Sequence, residues 1–185
     1  MVWLLLGPYT ALGPNIDQMR ASSVPDPVTI RHAVRAILMD CDSQRILLMR
    51  AQVPEGTHDL WLTPGGGMEP AESQHQALQR EVWEETGRRI GNLAPPVWTR
   101  RHTYEFRGMS IEQHETFYFV PTAVFEPTSR HNPAAAEMSV FREFRWWSIA
   151  EIQRSEEIFV PLHLADRLQH LLDAGPPAPP IDVGR

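Results

Sequence analysis

Residues 66–87 read GGMEPAESQHQALQREVWEETG, and this stretch decides the fold class. Ser73 and Gln76 form the capping-box pattern that starts a helix, while Gly87 stands where a left-handed C-terminal cap is expected. No proline or glycine lies between the two caps, so the stretch predicts a helix over residues 74–86. A glycine-rich turn lies just before the helix and allows the backbone to approach a ligand closely.

Runs of aliphatic and β-branched residues lie on both sides of this helix and predict strands. Strands before and after a central helix indicate an α/β protein with a mixed sheet. A polar tetrapeptide at 40–43 predicts a hairpin turn between the first two strands. The predicted strands are 29–39, 45–50, 60–63, 97–106, 111–125 and 141–147, and further helices are predicted over 148–154 and 161–172.

Prolines mark both ends of the chain and predict its domain organisation. Four prolines fall within the first 27 residues, and four more fall within the last ten. Such stretches favour extended, poorly packed chain. We therefore predict an N-terminal arm over 1–28, a single domain over 29–174 and a Pro-rich C-terminal tail over 175–185.

Composition excludes several classes of protein. The chain has 185 residues, and its 23 acidic and 17 basic residues give a net charge of −6, which disfavours nucleic-acid binding through a basic face. All 17 basic residues are arginine, so neither a lysine Schiff base nor a Walker A loop can form. Cys41 is the single cysteine, which excludes an internal disulfide and suits a cytoplasmic location. No apolar run reaches the ~20 residues of a membrane span.

Three carboxylates share one face of the predicted helix, because Glu81, Glu84 and Glu85 lie at spacing i, i+3 and i+4. Like charges at this spacing repel, so we expect at least one of these carboxyls to have a raised pKa. A solvated acidic face is the alternative interpretation. The neighbouring Arg80 and the glycine-rich turn favour a site for a hard divalent cation such as Mg2+, which prefers oxygen ligands.

The spacing of these residues resembles a family signature. The Nudix box reads G-x5-E-x7-R-E-U-x-E-E-x-G-U, where U is an aliphatic residue. Arg88 occupies the final position, where the family has an aliphatic residue. The fixed positions that agree are Gly66, Glu72, Arg80, Glu81, Glu84, Glu85 and Gly87.

The resemblance implies a Nudix-type α/β/α sandwich with a mixed β-sheet over roughly residues 29–172. It also implies a hydrolase that uses Mg2+ or Mn2+ and cleaves a pyrophosphate bond in a nucleoside diphosphate linked to another moiety. The substrate would then be a nucleotide, a nucleotide sugar or a dinucleoside polyphosphate. The attacking group would be water, and the bond would break at a phosphorus atom.

By position in the box, the resemblance implies a set of oxygen ligands for the metal. Glu81 and Glu85 would be the principal ligands, and Glu84 would be an additional or water-mediated ligand. The carbonyl of Gly65, just before the box, would complete the set.

The resemblance also implies supporting roles around these ligands. Arg80 would hold the glutamates by ion pairing, and Glu72 would brace the loop or help to hold the metal. Gly66 and Gly67 would form the supporting loop.

The general base is left open by the resemblance, because in the family it is either a box glutamate or one from a later loop. Glu137 and Glu143 are the candidates from later segments, with Glu137 preferred. Glu112 and Glu115 lie on a predicted strand, and we expect them to be surface residues.

A few residues bear on the substrate. Tyr104 lies seventeen residues beyond Gly87, where the resemblance associates a tyrosine with dinucleoside polyphosphate hydrolysis. Arg100, Arg101 and Arg107 are candidates for phosphate contacts, although exposed strand arginines are the preferred interpretation. The tryptophans are expected to pack in the core or at its rim, with base stacking by Trp61 as the minor alternative.

Two other functions stay open beside hydrolysis of a small nucleotide. One is a non-hydrolytic Nudix module that senses a nucleotide or sugar phosphate, although a pure binding module has no need of clustered carboxylates. The other is a messenger-RNA cap hydrolase, which the acidic net charge disfavours. The expected partner is a small nucleotide-type substrate, with no nucleic acid and no membrane, and a homodimer is left open.

Overall fold

A computed structural model of the chain describes residues 28–52, 58–106, 108–133 and 141–184. No helix in these ranges is long and apolar enough to cross a membrane. The strands are β1 (Thr29–Asp40), β2 (Arg45–Gln52), β3 (Asp59–Leu62), β4 (Trp98–Phe106), β5 (Met109–Pro121), β6 (Phe141–Ser148), β7 (Phe159–Val160) and β8 (Ile181–Asp182). The helices are α1 (Gln74–Thr86), α2 (Ile149–Arg154) and α3 (Leu164–Ala174).

The strands form one mixed sheet in the order β7-β3-β2-β1-β5-β4-β8, with β6 paired to β2. At its centre β1 and β5 are parallel, from Thr29 opposite Ile111 to Met39 opposite Pro121. The pairs β1–β2, β2–β3, β2–β6 and β4–β5 are antiparallel. The predicted mixed sheet is therefore confirmed.

Helices cover both faces of the sheet. Alternate residues of β1 point to opposite faces, and each set packs against different helices. Val34, Ala36 and Leu38 pack in one buried cluster with Leu78 and Val82 of α1. Ile37 and Met39 belong to a second cluster, which includes Ile149 and Ile152 of α2 and Leu164 and Leu168 of α3. This arrangement confirms the predicted α/β/α sandwich.

Local signals define the ends of α1. The Ser73 hydroxyl accepts from the Gln76 backbone N–H, and the Gln76 side chain accepts from the Ser73 N–H. Gly87 adopts a left-handed φ of 70°, and its N–H donates to the Trp83 carbonyl at 2.9 Å. The helix predicted over 74–86 is therefore confirmed at both ends.

The C-terminal segment differs from the prediction of a poorly packed tail. Ile181 and Asp182 pair with Trp98 and Thr99 of β4, and Val183 is buried at 2% exposure. Arg167 of α3 donates to the Val183 carbonyl at 3.0 Å. Two-residue strands such as β7 and β8 have no periodicity, which explains why the sequence did not predict them.

Two other segments bear on the predicted boundaries. Strand β5 ends at Pro121 rather than at residue 125, and α3 begins at Leu164, three residues beyond Pro161. The predicted arm over 1–28 lies outside the described residues except for the exposed Val28. The division into arm, domain and tail remains a prediction.

We expect Val183→Ala to lower the free energy of unfolding by about 2 kcal/mol, because it removes buried methyl groups and leaves a cavity in the core cluster to which Val183 belongs. Urea unfolding measures the change. Val124→Ala is the matched control, since Val124 is 50% exposed, and it should change stability little. Equal stability of the two variants would show that the C-terminal segment is not packed in solution.

Candidate active site

The glycine-rich loop before α1 lies along the edge of β1 that β2 leaves free. Strand β2 pairs with β1 only at its end, where Met39 and Asp40 meet Ile46 and Arg45. The loop pairs with this edge through three backbone hydrogen bonds. They join Ala36 N–H to the Pro64 carbonyl at 2.7 Å, Val34 N–H to the Gly66 carbonyl at 2.9 Å, and Met68 N–H to the His32 carbonyl at 3.0 Å.

Two glycines in this loop have no room for a side chain. Gly65 adopts a φ of 134°, and a Cβ there would overlap the Val34 carbonyl. A Cβ on Gly66 would lie 2.7 Å from the carboxyl carbon of Glu81. The loop therefore approaches both the β1 backbone and a helix carboxylate more closely than any other residue type would allow.

Glu81 and Glu85 of α1 are buried beneath this loop, at 0% and 2% exposure. The Gly65 N–H donates to Oε2 of Glu85 at 2.7 Å. Burial, together with the nearby negative charge of Glu81, raises the pKa of Glu85. The expectation that one carboxyl of the helix has a raised pKa is confirmed.

Arg80 is the hub of the ion pairs around this loop. It contacts both carboxylate oxygens of Glu72 at 2.9 Å, Oε1 of Glu81 at 2.7 Å and Oε2 of Glu84 at 3.3 Å. It also donates to the Gly67 carbonyl at 3.0 Å. Glu84 is thus oriented toward Arg80, while Glu81 and Glu85 are the buried members of the acidic face.

The donor set around the loop fits a hard divalent cation. The buried carboxylates of Glu81 and Glu85 and the loop carbonyls offer oxygen atoms as metal ligands. Two carboxylates buried away from water also need a positive charge nearby. The described residues contain no group of three His, Cys, Asp or Glu side chains arranged to hold a metal ion. A cation there would need ligands from Glu81, Glu85, the backbone and the substrate or water. The Gly65 carbonyl, a predicted ligand, accepts from Nη1 of Arg35 at 2.7 Å.

A second polar group lies beside this loop, and we call it the arginine cluster: Arg31 and Arg35 of β1 and Arg100 of β4, arranged around Glu115 of β5. Nε of Arg35 contacts Oε1 of Glu115 at 2.8 Å, and Nη1 of Arg100 contacts Oε2 at 2.8 Å. Gln113 donates to Glu115 at 2.9 Å and accepts from Arg31.

Glu115 was predicted to lie on the surface, and that prediction is wrong because the residue is 3% exposed. Burial alone would raise the pKa of Glu115, but the charges of Arg35 and Arg100 outweigh it and hold the pKa at about 2. Strand alternation had indicated which residues share a face of β5. It could not show that neighbouring strands place arginines over that face.

His102 and Tyr104 extend the cluster along β4, and their rings stack with centroids 5.7 Å apart. Burial is the main cause that lowers the pKa of His102 to about 4; the charge of Glu115 acts to raise this pKa, and the positive charges of Arg100, Arg35 and Arg31 act to lower it. His102 is therefore a neutral imidazole at neutral pH.

The arginine cluster was not predicted, although polar residues at alternate positions of β4 and β5, and two arginines four positions apart on β1, are a signal that could have revealed it. These residues are Arg31 and Arg35 on β1, Arg100, His102 and Tyr104 on β4, and Gln113 and Glu115 on β5.

Other predicted residues are placed elsewhere. Glu143 of β6 is 52% exposed and contacts Arg50 at 3.3 Å. Glu137 and Arg107 lie outside the described residues. Trp61 is 2% exposed and packs edge-to-face against Trp147, so it belongs to the core and cannot stack on a base.

Comparison with known proteins identifies related sequences and folds. A family model described as the NUDIX domain matches residues 29–167. Diphosphoinositol polyphosphate phosphohydrolase 3-alpha of Mus musculus is 28% identical over 153 residues, which cover 83% of this chain and 84% of that protein. Nucleoside triphosphatase NudI of Enterobacter sp. (strain 638) is 35% identical over 60 residues, 32% of this chain and 43% of that protein. The solution structure of the E. coli ORF135 protein matches with a TM-score of 0.55 at 25% identity, covering 80% of this chain and 95% of that one.

We expect Glu115→Gln to lower the free energy of unfolding at pH 7 by about 3 kcal/mol, because two buried guanidinium groups lose their counter-charge. The folded pKa of Glu115 is depressed, so its contribution is complete above about pH 4.5 and is lost as the pH falls toward 2. The difference in the free energy of unfolding between Glu115→Gln and the wild type should therefore become smaller as the pH falls from about 4.5 toward 2.

Urea unfolding at pH 7 and at pH 3.5 measures both effects. Glu105→Gln is the control, because Glu105 is an exposed carboxylate on β4. A Glu115→Gln variant as stable as this control at pH 7 would contradict the assignment of Glu115 as the central anion of the cluster.

Proposed function

Because this chain belongs to the Nudix family of hydrolases, we propose that it uses a divalent cation to cleave the phosphoanhydride bond of a nucleoside diphosphate linked to another moiety. Mg2+ is the proposed ion, and Mn2+ is expected to replace it. A nucleotide, a nucleotide sugar and a dinucleoside polyphosphate are the proposed kinds of substrate. A cytoplasmic location is also proposed, from the single cysteine.

One observation carries the proposal: Glu81 and Glu85 are buried together beneath the loop that follows β3. Two carboxylates in such a place destabilise the fold unless a cation compensates them. Arg80 supplies one positive charge to Glu81, while Glu85 has the Gly65 N–H as its donor. The pair therefore retains an attraction for a further cation.

We assign the residues of this loop and helix to roles in that reaction. Glu81 and Glu85 would hold the ion, with Glu84 as an additional or water-mediated ligand and the Gly65 carbonyl as a backbone ligand. A divalent ion held there would supply positive charge to phosphate oxygens and would acidify a water molecule. Arg80 keeps the carboxylates oriented.

The neighbouring residues complete the proposed machinery. Glu72 holds Arg80 through two contacts of 2.9 Å and so braces the loop against α1. Gly66 lies against the Glu81 carboxylate, and Gly67 accepts from Arg80 through its carbonyl, so both glycines support the loop. Glu137 is proposed as the general base, with Glu143 as the second candidate.

The related proteins support phosphoanhydride chemistry without fixing the substrate. The mouse relative is named for diphosphoinositol polyphosphates, and the Enterobacter relative is named for nucleoside triphosphates. A diphosphate or triphosphate group is common to both names. Hydrolysis of a phosphoanhydride in a small phosphorylated molecule is therefore the best-supported activity for this chain.

Incubation with nucleoside triphosphates, nucleotide sugars, ADP-ribose and dinucleoside polyphosphates tests the activity directly. We expect turnover of at least one class with Mg2+ or Mn2+ and none after addition of EDTA, because the phosphate charge must be neutralised before water attacks. Products are identified by mass spectrometry. Turnover that persists in EDTA would contradict the metal mechanism, and tight binding without turnover would favour a sensor.

We expect Glu85→Gln to reduce kcat/KM by two or more orders of magnitude, because loss of a metal-positioning group removes about 3–4 kcal/mol of transition-state stabilisation. Glu69→Gln is the matched control, since Glu69 is an exposed glutamate in the same loop. Steady-state kinetics measure both variants, and a Glu85→Gln enzyme with half the wild-type activity would disprove the role of Glu85.

The melting temperatures of the wild type and of Glu85→Gln, with and without metal, also test whether the ion binds at this residue. Glu85→Gln removes one partner of the repulsion between Glu81 and Glu85, so the variant should melt at or above the wild-type temperature without metal. Millimolar Mn2+ should raise the wild-type melting temperature much more than that of the variant, because the ion binds the folded state. Equal gains from Mn2+ would place the cation elsewhere.

A further inference from the structure

The arginine cluster carries more positive charge than its own residues neutralise. Three guanidinium groups, those of Arg31, Arg35 and Arg100, are arranged around the single carboxylate of Glu115. Gln113 is uncharged, and His102 is neutral at neutral pH. Within the cluster, two positive charges therefore remain uncompensated, although the chain as a whole has a net charge of −6.

The three arginines differ in how fully their nitrogens are used. Arg35 contacts Glu115 through Nε, and its Nη1 reaches the carbonyls of Gly65 at 2.7 Å and Thr63 at 3.4 Å. Arg100 also binds Glu115, but its Nε is buried without a hydrogen-bond partner. Arg35 is thus committed to the fold, whereas Arg100 keeps a donor for something else.

A second unpartnered nitrogen lies beside that donor. Nδ1 of His102 is buried without a hydrogen bond, and it lies 3.9 Å from Oε2 of Glu115. His102 and Arg100 are two residues apart on β4, so their side chains share one face of the sheet. Buried polar nitrogens almost always have partners in folded proteins, so two together indicate a missing ligand or water.

Arg31 connects this face to the loop of the proposed reaction site. Its guanidinium lies so close to Gly67 that a Cβ there would overlap it. The charge of Glu81 also acts on Arg31. Arg31 therefore makes the cluster and the buried carboxylates neighbours.

We propose that Arg100, His102 and Arg31 bind a second anionic group of the substrate, such as a further phosphate, separate from the phosphoanhydride that is cleaved. Guanidinium groups bind phosphate oxygens through short, charge-assisted hydrogen bonds, which suits the unused donor of Arg100. The substrate class is then a molecule with at least one phosphate beyond the scissile diphosphate. This inference rests on the proposed function, because both groups belong to one substrate.

Binding of inorganic pyrophosphate tests the site without catalysis. The protein is freed of metal on a chelating resin, since EDTA is itself a polyanion, and titrated by calorimetry. Arg100→Gln should weaken binding about tenfold or more, as expected for a lost charge-assisted hydrogen bond. Arg101→Gln is the matched control, because Arg101 is the next residue of β4 and is exposed. Its affinity should stay within about twofold of wild type.

Other variants keep the test decisive if Arg100→Gln folds poorly. Arg100→Lys keeps the charge and should retain part of the affinity. His102→Phe keeps the stacking on Tyr104 while it removes the ring nitrogens, and it should weaken binding severalfold. No binding by the wild type, or equal losses in Arg100→Gln and Arg101→Gln, would overturn the proposal and leave water as the partner of the two nitrogens.

A kinetic comparison separates this inference from the proposed function. The ratio of kcat/KM for a nucleoside triphosphate to kcat/KM for a nucleotide sugar should fall about tenfold in Arg100→Gln and stay constant in Arg101→Gln. An unchanged ratio in Arg100→Gln would overturn the second anionic site. A wild-type protein that hydrolyses none of the proposed substrate classes but binds pyrophosphate through Arg100 would refute the proposed function and retain the site.

Discussion

The backbone N–H and carbonyl of Gly65 each bond a buried charged side chain, and the position of the loop between α1 and β1 depends on these two hydrogen bonds. The N–H donates to the buried carboxylate of Glu85, while the carbonyl accepts from the buried guanidinium of Arg35. A negative and a positive side chain are thereby joined through a single residue of backbone. Only glycine meets the conditions, because φ is 134° and a Cβ would overlap the neighbouring strand. The loop is consequently fixed against both α1 and β1.

The face of the sheet that α2 and α3 cover changes character along the strands. Toward one end Ile37, Phe117 and Trp98 form part of the apolar core. Beyond them, the same alternation brings Arg35 and Glu115 to that face, with Arg100 directly opposite Glu115 in the β4–β5 register. Opposite charges at directly facing positions stabilise a strand pair. One alternating pattern thus builds an apolar core and, further along the strands, a largely buried charged cluster beside the acidic loop.

The sequence predicted best where the physical signal is local. The limits of α1 follow from Ser73 and Gly87, which act within one helical turn, and the structure has the same limits. The mixed sheet was predictable for a similar reason, since each long strand has its own run of apolar residues. The order of the strands, with β1 beside β5, depends on pairing between distant segments and has no local signal.

The same distinction applies to the candidate site. The acidic helix face and its glycine-rich loop are contiguous in the chain, so spacing alone was enough to group their residues. The arginine cluster comes from three strands, and burial of Glu115 depends on arginines that lie 15 and 80 positions away. Glu115 was therefore misplaced on the surface. The alternation in a sequence indicates which face of a strand a residue lies on, but it does not indicate which residues of the adjacent strands lie beside it.

The parallel pairing of β1 with β5 has a consequence for the order of folding. Its partners lie 82 positions apart, as Thr29 and Ile111 do, and closing such a loop costs chain entropy before any contact compensates it. The capped helix that bears Glu81 and Glu85 needs no such closure. Early in folding, the helix that bears Glu81 and Glu85 is therefore expected to form before the arginine cluster. The complete site is expected to form only when β1 pairs with β5.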